Sequence, residues 1–316
     1  IRARGPAYHN ILLIAATNRG DSLDAALLRP GRFDRRLYFD LPTKQERRDL
    51  IDYFLTAKMH EPELDEEDIR ERLAHDTFGY TPVMIEHLLD EALLVALRNN
   101  RDGMRASDVY EAKLSDELGL RQPVSYTEGE RAAVATHEAG HATVAHFVGT
   151  SRRLEVLSII KRRSSLGLLA HGDLEEKFTK SRSELESMMA IALGGMAAEE
   201  LFLGEPGTGP ASDLANATQT AALMVGALGM AGSLVSYEAV ADGPISATNL
   251  VGKVLSDGDG KRKVEELLDA QKQRALEVLE RNRDVVEALR DALMERDELI
   301  GEEILAVIHT ALAARN

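Results

Sequence analysis

The feature that most constrains this chain is a pair of histidines, His137 and His141, four residues apart within an apolar stretch. A spacing of four puts two side chains on the same face of an α-helix, about one turn apart. The residues from His137 to His141 read His-Glu-Ala-Gly-His, so a helix here aims two imidazoles at one point and sets a carboxylate beside them. This HExxH pattern is typical of a zinc-binding helix.

Glu138 follows the first histidine, and a carboxylate at that position can take a proton from metal-bound water and pass it to a leaving amine. The small residues Ala139 and Gly140 would let another helix or a substrate approach closely. The alternative is an accidental match on an exposed helix, because the pattern fixes few positions. Alanine and valine flank the motif, however, and two unligated histidines would be costly in such an apolar helix.

Zinc that is held by two histidines needs a third protein ligand and keeps one position for water. The chain has no cysteine, so this ligand has to be a histidine, an aspartate or a glutamate. His146 is disfavoured because it lies five residues after His141 and points away from the predicted metal face. The residues by themselves leave four candidates open, which are Asp213, Glu199, Glu200 and His171.

The periodicity along the chain predicts a mainly α-helical fold with a small α/β part. Apolar residues 11–16 and extended residues 36–41 predict two strands bridged by a short helix, as at the end of a parallel α/β sheet. From residue 43 to about 119, apolar residues recur with helical spacing and predict a small helical domain. A boundary is expected at Gln122-Pro123, which gives units at residues 1–44, 45–122 and 123–316.

The last unit is predicted to be mostly helical with a small β element. Ser125 and Thr127 each precede a glutamate by three residues, a capping-box pattern that starts a helix running to about residue 147. Short β-like runs follow at residues 154–160 and 166–170. Further helices are expected at residues 183–203 and 213–228, and as two long pieces from 263 to the end, with a mobile loop at 232–260.

The net charge of −15 disfavours binding to a nucleic-acid backbone or an anionic lipid surface. No apolar stretch has the length that crosses a bilayer, and the first residues lack a signal-peptide core, so the chain is expected to be soluble. It starts without a methionine and soon enters an apolar run. We therefore expect a piece of a longer protein.

Several motifs in a fixed order resemble the FtsH family of AAA+ ATP-dependent zinc metalloproteases. Residues 14–19 (Ile-Ala-Ala-Thr-Asn-Arg) and 27–34 (Leu-Leu-Arg-Pro-Gly-Arg-Phe-Asp) look like the family's second region of homology. The peptidase half resembles the family at 137–141, at 193–201 (Leu-Gly-Gly-Met-Ala-Ala-Glu-Glu-Leu) and at 212–218 (Ser-Asp-Leu-Ala-Asn-Ala-Thr). The similarity runs from about residue 11 to the C-terminus.

The resemblance implies that Asp213 is the third zinc ligand beside His137 and His141, with Glu138 as the general base. An N-cap is the alternative for an aspartate at a helix start. One of the glutamates at 199 and 200 could orient a zinc-bound imidazole, and a solvated helix face is the alternative. The glycines at 194 and 195 are expected to allow close helix packing. In the family, substrate adds to a sheet edge beside the zinc; residues 166–170 are the candidate edge, with a buried strand as the alternative.

Three residues of the first unit match the family's nucleotide-related positions. Asn18 matches sensor 1, and Arg29 and Arg32 match the arginine fingers that reach a neighbouring subunit's nucleotide. Ordinary contacts of a Pro-Gly turn are the alternative for the two arginines. The resemblance implies a hexameric ring that uses ATP and Mg²⁺ to pull unfolded or membrane-extracted polypeptides to the peptidase, on the cytoplasmic side of a bacterial-type inner membrane. Membrane association would then rest on segments outside this chain.

The sequence also departs from the family. Nothing matches a Walker A loop, a Walker B carboxylate pair or an aromatic pore loop, which the family places before residue 11. Residues 79–84 (Gly-Tyr-Thr-Pro-Val-Met) replace a Gly-Phe-Ser-Gly-Ala-Asp type of stretch at the start of a lid helix. We predict a zinc endopeptidase that forms part of an ATP-driven protease. The alternatives are a proteolytically inactive binding or remodelling module and a stand-alone zinc peptidase, against which residues 27–34 argue.

Overall fold

The computed structural model describes residues 13–20, 23–122, 126–162, 166–239 and 249–315. They form a mainly α-helical structure with one small sheet, as the sequence predicts. The first part contains α1 (Lys44–Leu55), α2 (Glu67–Asp76), α3 (Pro82–Arg98) and α4 (Ala106–Leu118). The second part contains α5 (Glu128–Val148), β1 (Arg152–Ser158), β2 (Leu168–Asp173), α6 (Arg182–Leu203), α7 (Ala211–Gly226), α8 (Leu250–Ser256), α9 (Gly258–Arg281), α10 (Arg283–Arg296), β3 (Glu298–Ile300) and α11 (Glu302–Ala313).

The two strands predicted near the N-terminus do not form within the described residues, and the short helix between them is present only as turns. Ile14 of the first segment and Phe39 of the second are 83% and 93% exposed. A strand needs a neighbour that pairs with its backbone N–H and C=O groups, and no described residue pairs with either segment. The strand prediction is therefore wrong here, although residues 11 and 12 lie outside the described part.

Helices α1 to α4 bury a core of their own. The start of α3 is well formed, because the Thr81 hydroxyl accepts a hydrogen bond from the Met84 N–H and Pro82 occupies the first turn. The unusual residues 79–84 thus act as an ordinary helix start. The predicted boundary at Pro123 falls outside the described residues. The buried apolar side chains of this core include Ile51, Leu55, Leu64, Ile85, Leu88, Leu89 and Met104.

Helices α5 and α6 pack with their backbones close together at glycines. A Cβ atom on Gly140 would lie 2.6 Å from the Gly194 carbonyl oxygen and 2.5 Å from the Ala198 Cβ atom, closer than real Cβ contacts come. This confirms the expected packing role for Gly194. Helix α9 packs on α6 and α10 packs on α5, so the two central helices are covered on further sides. No helix among the described residues combines the length and the apolarity that a membrane span needs.

The sheet contains β1 in the middle, with β2 and β3 antiparallel on either side. A bulge between Leu154 and Val156 interrupts the pairing of β1 with β2. The predicted runs at 154–160 and 166–170 lie about two residues from the observed strands. Strand β3 is three residues long and pairs with residues far away in sequence, so no local sequence pattern predicted it. Within the described residues, β2 is an edge strand.

The prediction of a mobile loop at 232–260 is wrong for its second half, which is helical. The Asn249 side chain caps α8 by accepting from the Gly252 N–H, and Asp257 caps α9 by accepting from the Gly260 N–H. Glycine and aspartate suggest a loop by composition, but here they serve helix ends. Residues 240–248 lie outside the described part.

The C-terminal region forms three helices, α9 to α11, rather than the two expected. Helix α10 ends at Asp297, which adopts a left-handed conformation with φ of 64°, and Gly301 also has a positive φ of 42°. The chain reverses between these residues and inserts β3 beside β1. The interruption between α10 and α11 was not predicted, because a single aspartate does not indicate from sequence that it will adopt a left-handed conformation.

A buried arginine joins the helical unit to the segment that follows β2. The Arg47 side chain is 1% exposed and donates to the carbonyl oxygens of Pro42 and Ala74 and to the Glu176 carboxylate. The neighbouring backbone adds a contact of His75 Nε2 with the Leu174 carbonyl oxygen at 3.1 Å. Because Arg47 is buried, loss of the partly buried Glu176 would leave the guanidinium charge without an ionic partner.

Replacing Glu176 by alanine should therefore lower the free energy of unfolding by about 3 kcal/mol, as is typical when a buried pair loses one partner. The matched control is Glu67→Ala, which removes the exposed partner of the adjacent Arg48 and should have a far smaller effect. Urea titration followed by circular dichroism measures both. Equal losses in the two variants would contradict a stabilising role for the buried pair.

Candidate metal centre

The histidine pair lies where α5 is most deeply buried. Thr127 and Glu130 form a capping box that starts α5, as predicted, and every residue from 135 to 145 is buried. His137 and His141 are each 6% exposed, and Glu138 is 5% exposed. Polar groups at this depth need partners, because their desolvation is costly.

Each imidazole has an acceptor on α6 for its outer ring nitrogen, Nδ1. His137 Nδ1 donates to Glu199 Oε1 over 2.7 Å, and His141 Nδ1 donates to the Ile191 carbonyl oxygen over 2.7 Å. Both acceptors come from α6. With Nδ1 acting as the donor, Nε2 of each ring carries its lone pair, and the two Nε2 atoms face one another at 3.0 Å.

Asp213 brings a third donor atom to the same point. Its Oδ2 atom lies 3.3 Å from His137 Nε2 and 3.5 Å from His141 Nε2, and the three atoms form a candidate metal cluster. Helix α7 begins at Ala211 with Pro210 in the cap position, so Asp213 lies inside the first turn and is not the N-cap.

The donor set fits zinc. Tetrahedral ligands at zinc distances of about 2.0–2.1 Å lie about 3.3 Å from one another, close to the separations of His137 Nε2, His141 Nε2 and Asp213 Oδ2. Burial opposes ionisation of Asp213, but its hydrogen bonds with the two histidines hold the pKa of its carboxyl well below the usual range. Burial also favours the neutral ring of His137, yet the carboxylates of Asp213 and Glu199 raise its pKa to about 10. This field of negative charge favours a divalent cation.

Glu138 lies beside the three donor atoms without belonging to their cluster. Burial raises the pKa of its carboxyl to about 6, although the charges of His141 and His137 act in the opposite direction. Gly167, just before β2, lies directly against it, since a Cβ atom there would be 2.6 Å from Glu138 Oε1. A buried carboxylate next to the metal face, with its affinity for protons increased, suits a general base.

The structure separates the candidates that the residues left open. Glu199 contacts a histidine ring and also accepts from the Gly207 N–H, so it lies behind the metal face. Glu200 pairs instead with Lys272 of α9 at 2.6 Å. His171 bonds to Arg152 and is not part of the cluster.

Comparison with known proteins agrees with this geometry. A family model described as Peptidase family M41 matches residues 124–307, more than half of the chain. The chain belongs to peptidase family M41. A second model, the ATPase family associated with various cellular activities (AAA), matches residues 3–41.

The resemblance to FtsH proteins is confirmed by individual relatives. ATP-dependent zinc metalloprotease FtsH 4 of Sphaerobacter thermophilus is 34% identical over 318 residues, which cover 95% of this chain and 46% of that protein. FtsH 2 of Symbiobacterium thermophilum is 34% identical over 304 residues, covering 96% of this chain and 51% of that protein. FtsH of Cupriavidus metallidurans is 33% identical over 305 residues, covering 94% and 45%. The chain spans about half the length of these relatives.

The predicted nucleotide-related residues lie outside the M41 match. Asn18, Arg29 and Arg32 are all exposed, and none belongs to the metal cluster. The Arg32 guanidinium donates to the Ala26 carbonyl oxygen over 2.7 Å, which is a local turn contact. Their roles at a nucleotide remain a prediction.

Gly195 is a feature of the M41 site whose contact with the metal face was not predicted. A Cβ atom there would lie 2.4 Å from His137 Nε2 and 2.6 Å from His141 Nε2, in the space between the ligand atoms. The adjacent glycines within a predicted helix were the available signal, but they pointed only to packing. Only glycine leaves this space between α6 and the two Nε2 atoms open.

Gly195→Ala should therefore lower zinc affinity by at least the roughly 10–100-fold that follows loss of an outer-shell partner. Gly129→Ala is the control, because a Cβ atom on Gly129, in the first turn of α5, would meet nothing within 4 Å. Titration with zinc against a competing chelator measures the affinities. Wild-type affinity in the Gly195 variant would mean that the metal does not lie between these side chains.

Proposed function

We propose that this chain is the zinc-dependent endopeptidase part of an ATP-driven protease. The observation that carries the proposal is the convergence of His137 Nε2, His141 Nε2 and Asp213 Oδ2 on one point beside a buried Glu138. In this proposal the three converging side chains hold Zn²⁺. When bound, zinc supplies Lewis-acid polarisation of the scissile carbonyl and acidifies water at its open position.

Glu138 accepts the proton of the attacking water and transfers it to the nitrogen of the leaving amine. Its pKa, which burial raises to about 6, makes the carboxylate a better proton acceptor than an exposed glutamate. Glu199 and the Ile191 carbonyl oxygen hold the two imidazoles by Nδ1, so that Nε2 of each remains available as a ligand.

The substrate in this proposal is an unfolded polypeptide that binds as an extended strand along β2. The support is the position of β2 at the sheet edge, with Gly167 at its start lying against Glu138. Backbone hydrogen bonds along an edge strand hold a peptide with little dependence on its sequence. Such binding suits a protease that degrades many unfolded proteins.

The remaining features belong to the longer protein. We propose that it uses ATP and Mg²⁺, assembles as a homohexamer and works at the cytoplasmic side of a bacterial inner membrane. In that assembly Asn18 would sense the nucleotide, and Arg29 and Arg32 would reach the nucleotide of a neighbouring subunit. The AAA match over residues 3–41 and the words "ATP-dependent" in the names of the FtsH relatives support the use of ATP. The converging donor atoms and the M41 match weigh against an inactive binding module.

Glu138→Gln should retain zinc and reduce casein hydrolysis by at least about 100-fold, because an amide cannot accept the proton of water. Glu128→Gln on the exposed first turn of α5 is the matched control and should be fully active. Metal content is measured by atomic absorption on both purified proteins. Near-normal hydrolysis by the Glu138 variant would remove this residue from the mechanism.

Asp213→Asn should weaken zinc binding by more than the roughly 10–100-fold that is typical of an outer-shell change, and should abolish hydrolysis. The fold should persist, because the side chain caps no helix and lies at the edge of the site. Ser212→Ala, an exposed neighbour in the same turn of α7, is the control. If the asparagine variant binds zinc and cleaves casein like the wild type, the third ligand is another residue.

A further inference from the structure

His171 lies on the face of β2 that is turned towards the metal-binding helix α5. Side chains alternate between the two faces of a strand, so residues 167, 169 and 171 share one face. Gly167 lies against Glu138, and Leu169 packs on the core to which α5 contributes. His171 is paired in register with Leu154, whose buried side chain belongs to the same core.

Arg152 holds His171 in place through hydrogen bonds. Its Nε donates to His171 Nδ1, its Nη2 donates to the His171 carbonyl oxygen over 3.1 Å, and its Nη1 donates to Asp173 Oδ1 over 2.9 Å. A guanidinium has donors and no acceptor, so His171 Nδ1 must be the acceptor in this contact. The imidazole is therefore neutral and carries its proton on Nε2.

The ring is held neutral by its surroundings. Burial and the positive charge of Arg152 together lower the pKa of His171 to about 3. Among the described residues, His171 Nε2 has no hydrogen-bond partner. His171 is partly buried, and its Nε2 atom is not among the buried atoms that lack a partner, so this donor is open to solvent and available to a bound ligand.

We propose that His171 donates a hydrogen bond from Nε2 to the carbonyl oxygen of the peptide bond that is cleaved. The inference rests on the proposed peptidase function. As water adds to the carbonyl carbon, negative charge develops on that oxygen, and a fixed neutral donor stabilises it more than it stabilises the bound substrate. Arg152 is the positioning residue, since it fixes both the tautomer and the ring.

The alternative is that His171 has a purely structural role. In that case His171 would only link β1 to β2 through Arg152, and its Nε2 atom would have no function. Loss of the ring would then lower stability and leave the catalytic constants of the folded protein unchanged. The two roles are therefore separable by kinetics.

The test compares His171→Phe, which removes the donor and keeps a ring, with His171→Gln, which keeps an N–H donor. His171→Phe should lower kcat by about 100–1,000-fold with KM and zinc content nearly unchanged. His171→Gln should recover at least about tenfold of that loss, because a side-chain amide can also donate. His146→Phe is the control, since His146 contacts Phe147 and His309 at the far end of α5.

A second readout does not depend on turnover. In the Glu138→Gln background, His171→Phe should weaken binding of a phosphinic peptide, which mimics the tetrahedral state, by about 100-fold, while binding of the matching substrate peptide changes little. Calorimetry measures both affinities. Equal weakening for the two ligands would mean that His171 contributes only general substrate binding, which overturns the proposal.

The proposal is also overturned if folded, zinc-loaded His171→Phe keeps its kcat within about twofold of the wild type, or if it loses its zinc. The glutamine variant keeps the test informative should the phenylalanine variant fail to fold. A failure of the proposed function would look different. In that event wild-type protein would not cleave casein in a Glu138-dependent manner, whatever residue 171 is.

Discussion

The close contact between α5 and α6 is the interaction on which the metal centre depends. Gly140 and Gly194 allow the two backbones to approach, so that the Glu199 side chain and the Ile191 carbonyl oxygen reach the histidines. Those two acceptors select the same tautomer for both rings. Without this approach, the imidazoles would be buried side chains free to turn in more than one direction. Helix packing therefore comes first, and the orientation of the ligands follows from it.

Electrostatics adds a second constraint. Three carboxylates, those of Glu138, Glu199 and Asp213, lie around two imidazoles in a buried region. Mutual repulsion of carboxylates in a medium of low dielectric constant destabilises a fold unless a cation is present. A divalent cation held in the proposed site would offset this repulsion and so contribute to the stability of the folded peptidase as well as to its chemistry. The shift of the Glu138 pKa towards 6 results from the same burial.

The edge strand β2 links the metal centre to the rest of the molecule. At its start, Gly167 lies against the general-base candidate, and at its end Asp173 is held by Arg152. Three residues later, Glu176 forms the buried ion pair with Arg47 of the helical unit. Ion pairs therefore hold the end of the strand and the segment after it, while the start of the strand lies against the candidate metal centre.

Local sequence was enough to determine the helical character of the chain, the start of α5 and the placement of His137 and His141 on one helix face, because capping and helical periodicity act within a few residues. The choice among Asp213, Glu199 and Glu200 had to come from the family resemblance. Only tertiary structure decided that Glu199 contacts His137 while Glu200 turns to Lys272, since adjacent residues on a helix point about 100° apart and packing decides which one faces the site. The same holds for Gly195, which lies against the Nε2 atoms of both histidines. It also holds for β3, which exists only through its pairing with β1, and for His171, whose tautomer is set by an arginine on a neighbouring strand. The prediction of two N-terminal strands was wrong because an apolar sequence becomes a strand only when another strand lies beside it.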